Sequence, residues 1–221
     1  MYLLIFLNLI CLICKGNRAL EVIELKKISR FDIFMIVLPW ILWYLTFDVL
    51  SSHFIYAMAT STSILGIISL TKKEVREKYK SCNVLCLLSS LGISIILYLV
   101  FYGGNIVSIK LGLEGEVLDV YGLVPKGLLS IFLLALIGVM EEAYWRGLLQ
   151  QVIIEKDLKI NWLFSAVFYG IVHSVSLNLI LVIAAFIVGL FLSFTAKKLG
   201  LISSSIVHVT WIYLMFLKML L

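Results

Sequence analysis

Residues 137–150 read IGVMEEAYWRGLLQ and set Glu141, Glu142 and Arg146 inside an otherwise apolar run, 127–151. An ionisable group near the middle of a bilayer costs about 2.5–3.5 kcal/mol on insertion scales. Three of them within six residues therefore call for either a soluble fold or a purpose. The rest of the chain excludes the soluble fold: 62% of its 221 residues are hydrophobic and only 14% charged, whereas soluble domains run nearer half apolar and a quarter charged. Charges gather in short islands between apolar runs. The expected fold is all-α, a polytopic transmembrane helical bundle.

Runs long enough to cross roughly 30 Å of hydrocarbon at about 1.5 Å per residue number about eight: 1–14, 31–47, 54–70, 84–108, 127–151, 160–175, 177–196 and 201–221. The first is short, without the basic start or small-residue cleavage site of a signal peptide, and reads as a retained helix. Lys and Arg concentrate in alternate connections, as cytoplasmic loops should. Lys15, Arg18, Lys26, Lys27 and Arg30 form one island, Lys72, Lys73, Arg76, Lys78 and Lys80 the next, then Lys156 with Lys159 and Lys197 with Lys198. The opposite side holds Lys110, Lys126 and Lys218 beside Glu114, Glu116 and Asp119. Both termini are thus expected outside. The net charge of +5 reflects this bias and attraction to anionic lipid, and nucleic acid is not an expected partner.

The connection 103–126, with GGN and YGLVPKG as punctuation, reads as a loop that could lie in the interface. Cys11, Cys14, Cys82 and Cys86 fall near expected cytoplasmic membrane ends, where thiols stay reduced, and read as packing residues rather than a zinc set. No linker or repeat divides the chain. Residues 1–126 are N-terminal helices without specific features, and 127–221 carry the distinctive ones, within one integrated membrane domain.

Asp32, Asp48 and His53 lie at span edges, where interfacial solvation accounts for them. Glu141, Glu142, His173 and His208 do not. Glu142 and Arg146, four apart on a helix, can pair, but Glu141 is rotated about 100° away and is left without a partner in its own helix. Counted at about 1.5 Å per residue from the basic ends, Glu141 and His208 come out roughly 10–15 Å deep, with His173 somewhat deeper. The three can meet in one layer, in a site expected to open toward the cytoplasmic half.

EEAYWRG resembles the Glu-Glu-x-x-x-Arg motif of the CAAX protease and bacteriocin-processing (CPBP, or Abi) family of intramembrane proteases. YGIVH, ending in His173, resembles that family's second motif, and GLISSSIVHVTWI its last helix, with His208 at the histidine. The run VGLFLSFTAKKLGLI leads into that helix in the usual way. Tyr169 stands where the second motif usually has Phe. Ile212 stands where the last motif usually has Asn or Asp, a residue that helps the histidine bind the polarised carbonyl.

The resemblance implies an intramembrane endopeptidase acting on a membrane-associated peptide or protein, with membrane lipid as its other partner. It implies Glu141, His173 and His208 as catalytic residues: Glu141 as base toward a water that His173 positions, and His208 facing the substrate oxygen. Glu142, Arg146 and Tyr169 would shape the site. The same two His and one Glu would also suit a catalytic zinc with an open position, so Zn remains an alternative to a glutamate-activated water. Loss of one oxyanion donor at Ile212 can cost on the order of 10²–10³ in rate, which keeps a catalytically impaired immunity or scaffold protein open as a second reading, with a small transporter third. The family's distribution implies a bacterial inner membrane.

Overall fold

The computed structural model describes residues 29–79 and 82–220, and among these every regular element is helical. The apolar run 1–14, Cys11 and Cys14 lie outside the described residues. The order is α1 (Arg30–Tyr44), α2 (Phe54–Thr71), the short α3 (Lys73–Arg76), α4 (Val84–Lys110), α5 (Glu114–Gly122), α6 (Leu128–Glu142), α7 (Leu163–Val172), α8 (Leu179–Leu199) and α9 (Leu201–Leu220). Two helices continue past these bounds in wider turns, α1 through Leu45–Val49 and α6 through Ala143–Asp157. Five helical stretches are long and apolar enough to cross a membrane: Arg30–Val49, Ser51–Thr71, Val84–Lys110, Leu128–Asp157 and Leu179–Leu199. Leu163–Ser176 and Leu201–Phe216 are shorter apolar helices. The chain is an integral membrane protein built as an all-α bundle.

Local chemistry accounts for the boundaries. Asp32 closes a capping box with Ser29 at the start of α1, its carboxylate accepting from the Ser29 amide at 2.9 Å. Asn83 and Asn178 cap α4 and α8 through their side-chain oxygens. The expected loop from residue 103 begins later, because α4 runs through the GGN stretch to Lys110. Glycines in a helix cost only about 1 kcal/mol each, and the chain turns at Gly112, where φ is +74°. The connection beyond is the nine-residue helix α5. The span expected over 160–175 is shorter as well: after Val172 the helix tightens over His173–Ser176 and reverses at Leu177, in a left-handed conformation. His173 therefore ends its helix.

Small residues let the site-bearing helices approach closely. A Cβ on Gly189 of α8 would come within 3.1 Å of the Ala166 backbone in α7, and one on Gly66 of α2 within 3.0 Å of the Met140 backbone in α6. Tyr144, wholly buried, donates to the Met35 carbonyl at 2.6 Å and fastens α1 to the wide helix. In place of the reduced thiols expected near the start of α4, Cys82 and Cys86 form a disulfide, the i, i+4 spacing across the capped first turn setting their Cα atoms 5.5 Å apart.

Candidate active site

The wide turns begin at Ala143, directly after the Glu pair. Such turns, with i→i+5 bonding, often mark functional sites because they re-aim side chains within a continuous helix. Here they leave Glu141, Glu142 and Arg146 all buried in the bundle. Arg146 lies 3.2 Å from Glu142 at the expected i, i+4 spacing, and its guanidinium sits over the Tyr169 ring, 4.5 Å from the centroid.

Glu142 does more than pair with arginine. It accepts from His208 Nδ1 at 3.0 Å and from the Ser204 hydroxyl. An ionised carboxylate only accepts, so Nδ1 carries a proton and the imidazole is turned with Nε2 toward Glu141, 3.7 Å away. Sequence reasoning gave Glu142 to Arg146 alone. The structure makes it the orienting group of His208, and α9 supplies two of its partners. Ser204, one turn before His208, is committed to Glu142 and to the Leu192 carbonyl. Ser205 donates to its own helix at Leu201.

Glu141 finds its partner on α7. The Tyr169 hydroxyl donates to its Oε2 at 2.8 Å, so the hydroxyl that distinguishes this chain from a phenylalanine at that position is put to use. Four residues on, His173 donates from Nδ1 to the Tyr169 carbonyl at 2.7 Å and accepts at Nε2 from the indole of Trp43, 3.2 Å away. An indole N–H can only donate, so this imidazole is the neutral Nδ1–H tautomer with both nitrogens engaged. Trp43 belongs to α1, in the half of the chain where the sequence offered only hydrophobicity. Its one signal was an indole N–H inside an apolar span, a donor that must find an acceptor when buried.

Glu141, Tyr169, His173 and His208 share the floor of a cavity of about 150 Å³, with Ile212 in its wall. That is well above the roughly 10–15 Å³ needed to hold a water. The remaining walls are largely apolar and come from Phe47, the start of α2, the end of α5, the first halves of α6 and α8, and Trp211 and Phe216 of α9. These are the helix ends opposite the Lys and Arg islands, so the expected opening toward the basic ends is not met. On the basic side the helices close over the site. Trp145, Arg146, Leu148, Leu149, Gln150 and Ile153 are all buried there, and Gln150 donates to the Ser193 carbonyl at 3.1 Å. Ion pairs Lys156–Glu74 (3.4 Å) and Lys197–Glu155 (2.5 Å) tie the outermost turns together. Tyr79 reaches in from the basic connection toward Ser205, and burial pushes its phenol up to about 12.

The three residues suggested for zinc do not fit a metal as they are arranged. His173 offers no free lone pair, since Nε2 is held by Trp43, while His208, its Nδ1–H donated to Glu142, keeps Nε2 free. Among the described residues no group of three or more His, Cys, Asp or Glu side chains is placed to hold a metal ion.

A helical membrane bundle that gathers a carboxylate, two imidazoles and a phenol on the floor of an apolar cavity belongs to the class of polytopic membrane proteins with a hydrolase-type donor set. Residues 124–214 match the family model of type II CAAX prenyl endopeptidase Rce1-like. The matched stretch contains all of the ionisable side chains on the cavity floor and excludes Trp43. No curated protein and no solved structure matches the chain.

Proposed function

We propose that the protein is an intramembrane endopeptidase that cleaves a peptide bond of a membrane-associated protein or peptide through a water activated by Glu141. The observation that carries this reading is Glu141 itself, a buried carboxylate free of Arg146, held by the Tyr169 hydroxyl at 2.8 Å and open to a cavity with room for water. The carboxylate takes a proton from that water, the water oxygen attacks the amide carbonyl carbon, and the proton passes to the departing nitrogen as the C–N bond breaks. His208, fixed by Glu142 through Nδ1, presents Nε2 to the cavity and in its protonated form donates to the carbonyl oxygen. His173 joins Glu141 in holding the water once the indole of Trp43 yields Nε2, a lone pair to which a water hydrogen can equally donate. The match to a family of prenyl endopeptidases supports peptide-bond hydrolysis. The charge pattern and the family's distribution support placement in a bacterial inner membrane.

Purified protein incubated with a library of membrane-anchored peptides is expected to cleave some of them, and Glu141→Ala is expected to abolish cleavage. Cleavage that survives this substitution sinks the assignment. Ile212, apolar where the carbonyl oxygen would sit, favours the second reading of a non-catalytic immunity or scaffold protein. That reading predicts a cellular phenotype indifferent to Glu141→Ala and to His208→Ala.

A further inference from the structure

The cavity and the charge pattern, taken together, say from which side a substrate arrives. Along every helix that lines the cavity, the lining residues fall on one half. On α6 they are Leu134, Ile137 and Glu141, with none from the wide turns that follow. On α8 they stop at Val188, eleven residues before the helix ends at Leu199. On α9 they begin only at His208, seven residues into the helix. The ends left unlined are those next to Lys156 and Lys159 and beside Lys197 and Lys198, the ends that stay in the cytoplasm under the positive-inside bias.

The mouth is spanned instead by α5, which belongs to the sparsely basic side. Glu116 anchors it, its carboxylate accepting from the Ile180 amide at 3.1 Å and its carbonyl from the Asn178 side chain at 2.9 Å, at the start of α8. Tyr121 meets Phe216 edge-on, with ring centroids 5.4 Å apart. Behind α5 lies a second cavity of about 180 Å³ that shares Val120, Leu181, Ala184, Trp211 and Phe216 with the first. Apart from Glu141 and the two histidines, no charged side chain among the described residues lines either one.

We infer that the site opens to the non-cytoplasmic side of the membrane, under α5, and receives an uncharged, apolar segment of an exported or membrane-anchored polypeptide from that side. The substrate class this names rests on the endopeptidase reading, whereas the direction of opening does not. Burial of an apolar segment against the cavity walls supplies the binding, and a charged side chain in the same segment would be desolvated without a partner. A segment presented from the cytoplasm meets the closed layer around Arg146 and Gln150 instead.

The direction is tested by thiol labelling. Ile212→Cys is placed in a chain whose four native cysteines are replaced by serine, and a membrane-impermeant maleimide is applied to intact cells and to inside-out vesicles. Asp119→Cys and Lys198→Cys, both exposed, report the two faces. The expected result is labelling of Ile212→Cys and Asp119→Cys in intact cells, its loss for both in inside-out vesicles, and the reverse for Lys198→Cys. Labelling of Ile212→Cys from the Lys198 side, or from neither side, overturns the inference. A second measurement keeps the native cysteines: reporters carry the same apolar segment tethered beside the membrane on one face or the other. Cleavage of the non-cytoplasmic reporter alone supports the inference, and cleavage of the cytoplasmic one overturns it. If neither reporter is cleaved while Ile212→Cys is labelled from outside, the endopeptidase reading and its substrate class fall and the opening stands.

Discussion

Trp43 and His173 lie 130 residues apart in sequence and 3.2 Å apart in space, joined by an indole N–H donated to an imidazole nitrogen. The bond ties α1, outside the region matched to the family, to one of the three residues on which the proposed chemistry depends. It also fixes the tautomer of His173, because the other nitrogen must then donate to the Tyr169 carbonyl. Trp43 packs edge-on against Trp145 as well, the ring centroids 5.8 Å apart, so its position is set by the bundle rather than by the histidine alone.

Trp43→Phe keeps much of the ring and removes the donor. Loss of one neutral hydrogen bond should lower stability by about 0.5–1.5 kcal/mol, read from unfolding in detergent. The nitrogen NMR signal of His173 Nε2 should move toward that of an unbonded lone pair. An unchanged signal would show that the indole is not its partner.

Glu141→Gln preserves shape and an oxygen that Tyr169 can still donate to, but removes the base. Cleavage of a membrane-anchored peptide should fall by about 10²–10⁴ with the protein still folded. Wild-type turnover in this variant would remove Glu141 from the mechanism.

Tyr169→Phe restores the residue usual at that position of the resembled motif and deletes a hydrogen bond to a carboxylate. Bonds to charged groups contribute about 1.5–3 kcal/mol, so a fall in kcat of roughly ten-fold or more is expected, with KM little changed. A KM effect of the same size with kcat intact would make Tyr169 a binding residue instead.

Arg146→Met leaves the buried charge of Glu142 without its arginine, held only by His208 and Ser204, and breaking one half of such a pair costs up to about 3–5 kcal/mol. The double variant Glu142→Gln with Arg146→Met removes both charges and should recover a good part of that loss, although His208 then loses its orienting carboxylate. Equal instability of single and double variants would argue against the pairing; the comparison is made by thermal unfolding.

Ile212→Asn places a hydrogen-bond donor in the cavity wall one turn from His208. If the carbonyl oxygen sits there, cleavage should accelerate, with a ceiling of about 10²–10³, the usual worth of one oxyanion donor. A rate unchanged in a folded protein would put the oxygen elsewhere.

Much of this was legible in order along the chain. Hydrophobic run lengths and alternating Lys and Arg islands showed a helical membrane bundle, because a backbone in lipid must satisfy its own hydrogen bonds and a span has a minimum length. The i, i+4 spacing of Glu142 and Arg146 indicated their ion pair, and the motif order singled out the two histidines. The GGN stretch misled, since glycine permits a turn without requiring one. Counting residues from the basic ends placed Glu141, His173 and His208 where they can meet in one layer, and all three line one cavity.

Partners across helices belong to the tertiary structure alone. That Glu142 turns His208, that Tyr169 holds Glu141, that Trp43 takes the lone pair of His173, and that the cavity faces away from the basic ends all depend on how helices rotate and stack. Composition and periodicity fix which side chains must leave lipid, because exposure of charge to hydrocarbon is costly. Which buried group each of them meets depends on angles and offsets between helices, which the close approach allowed by small residues such as Gly66 and Gly189 helps to set.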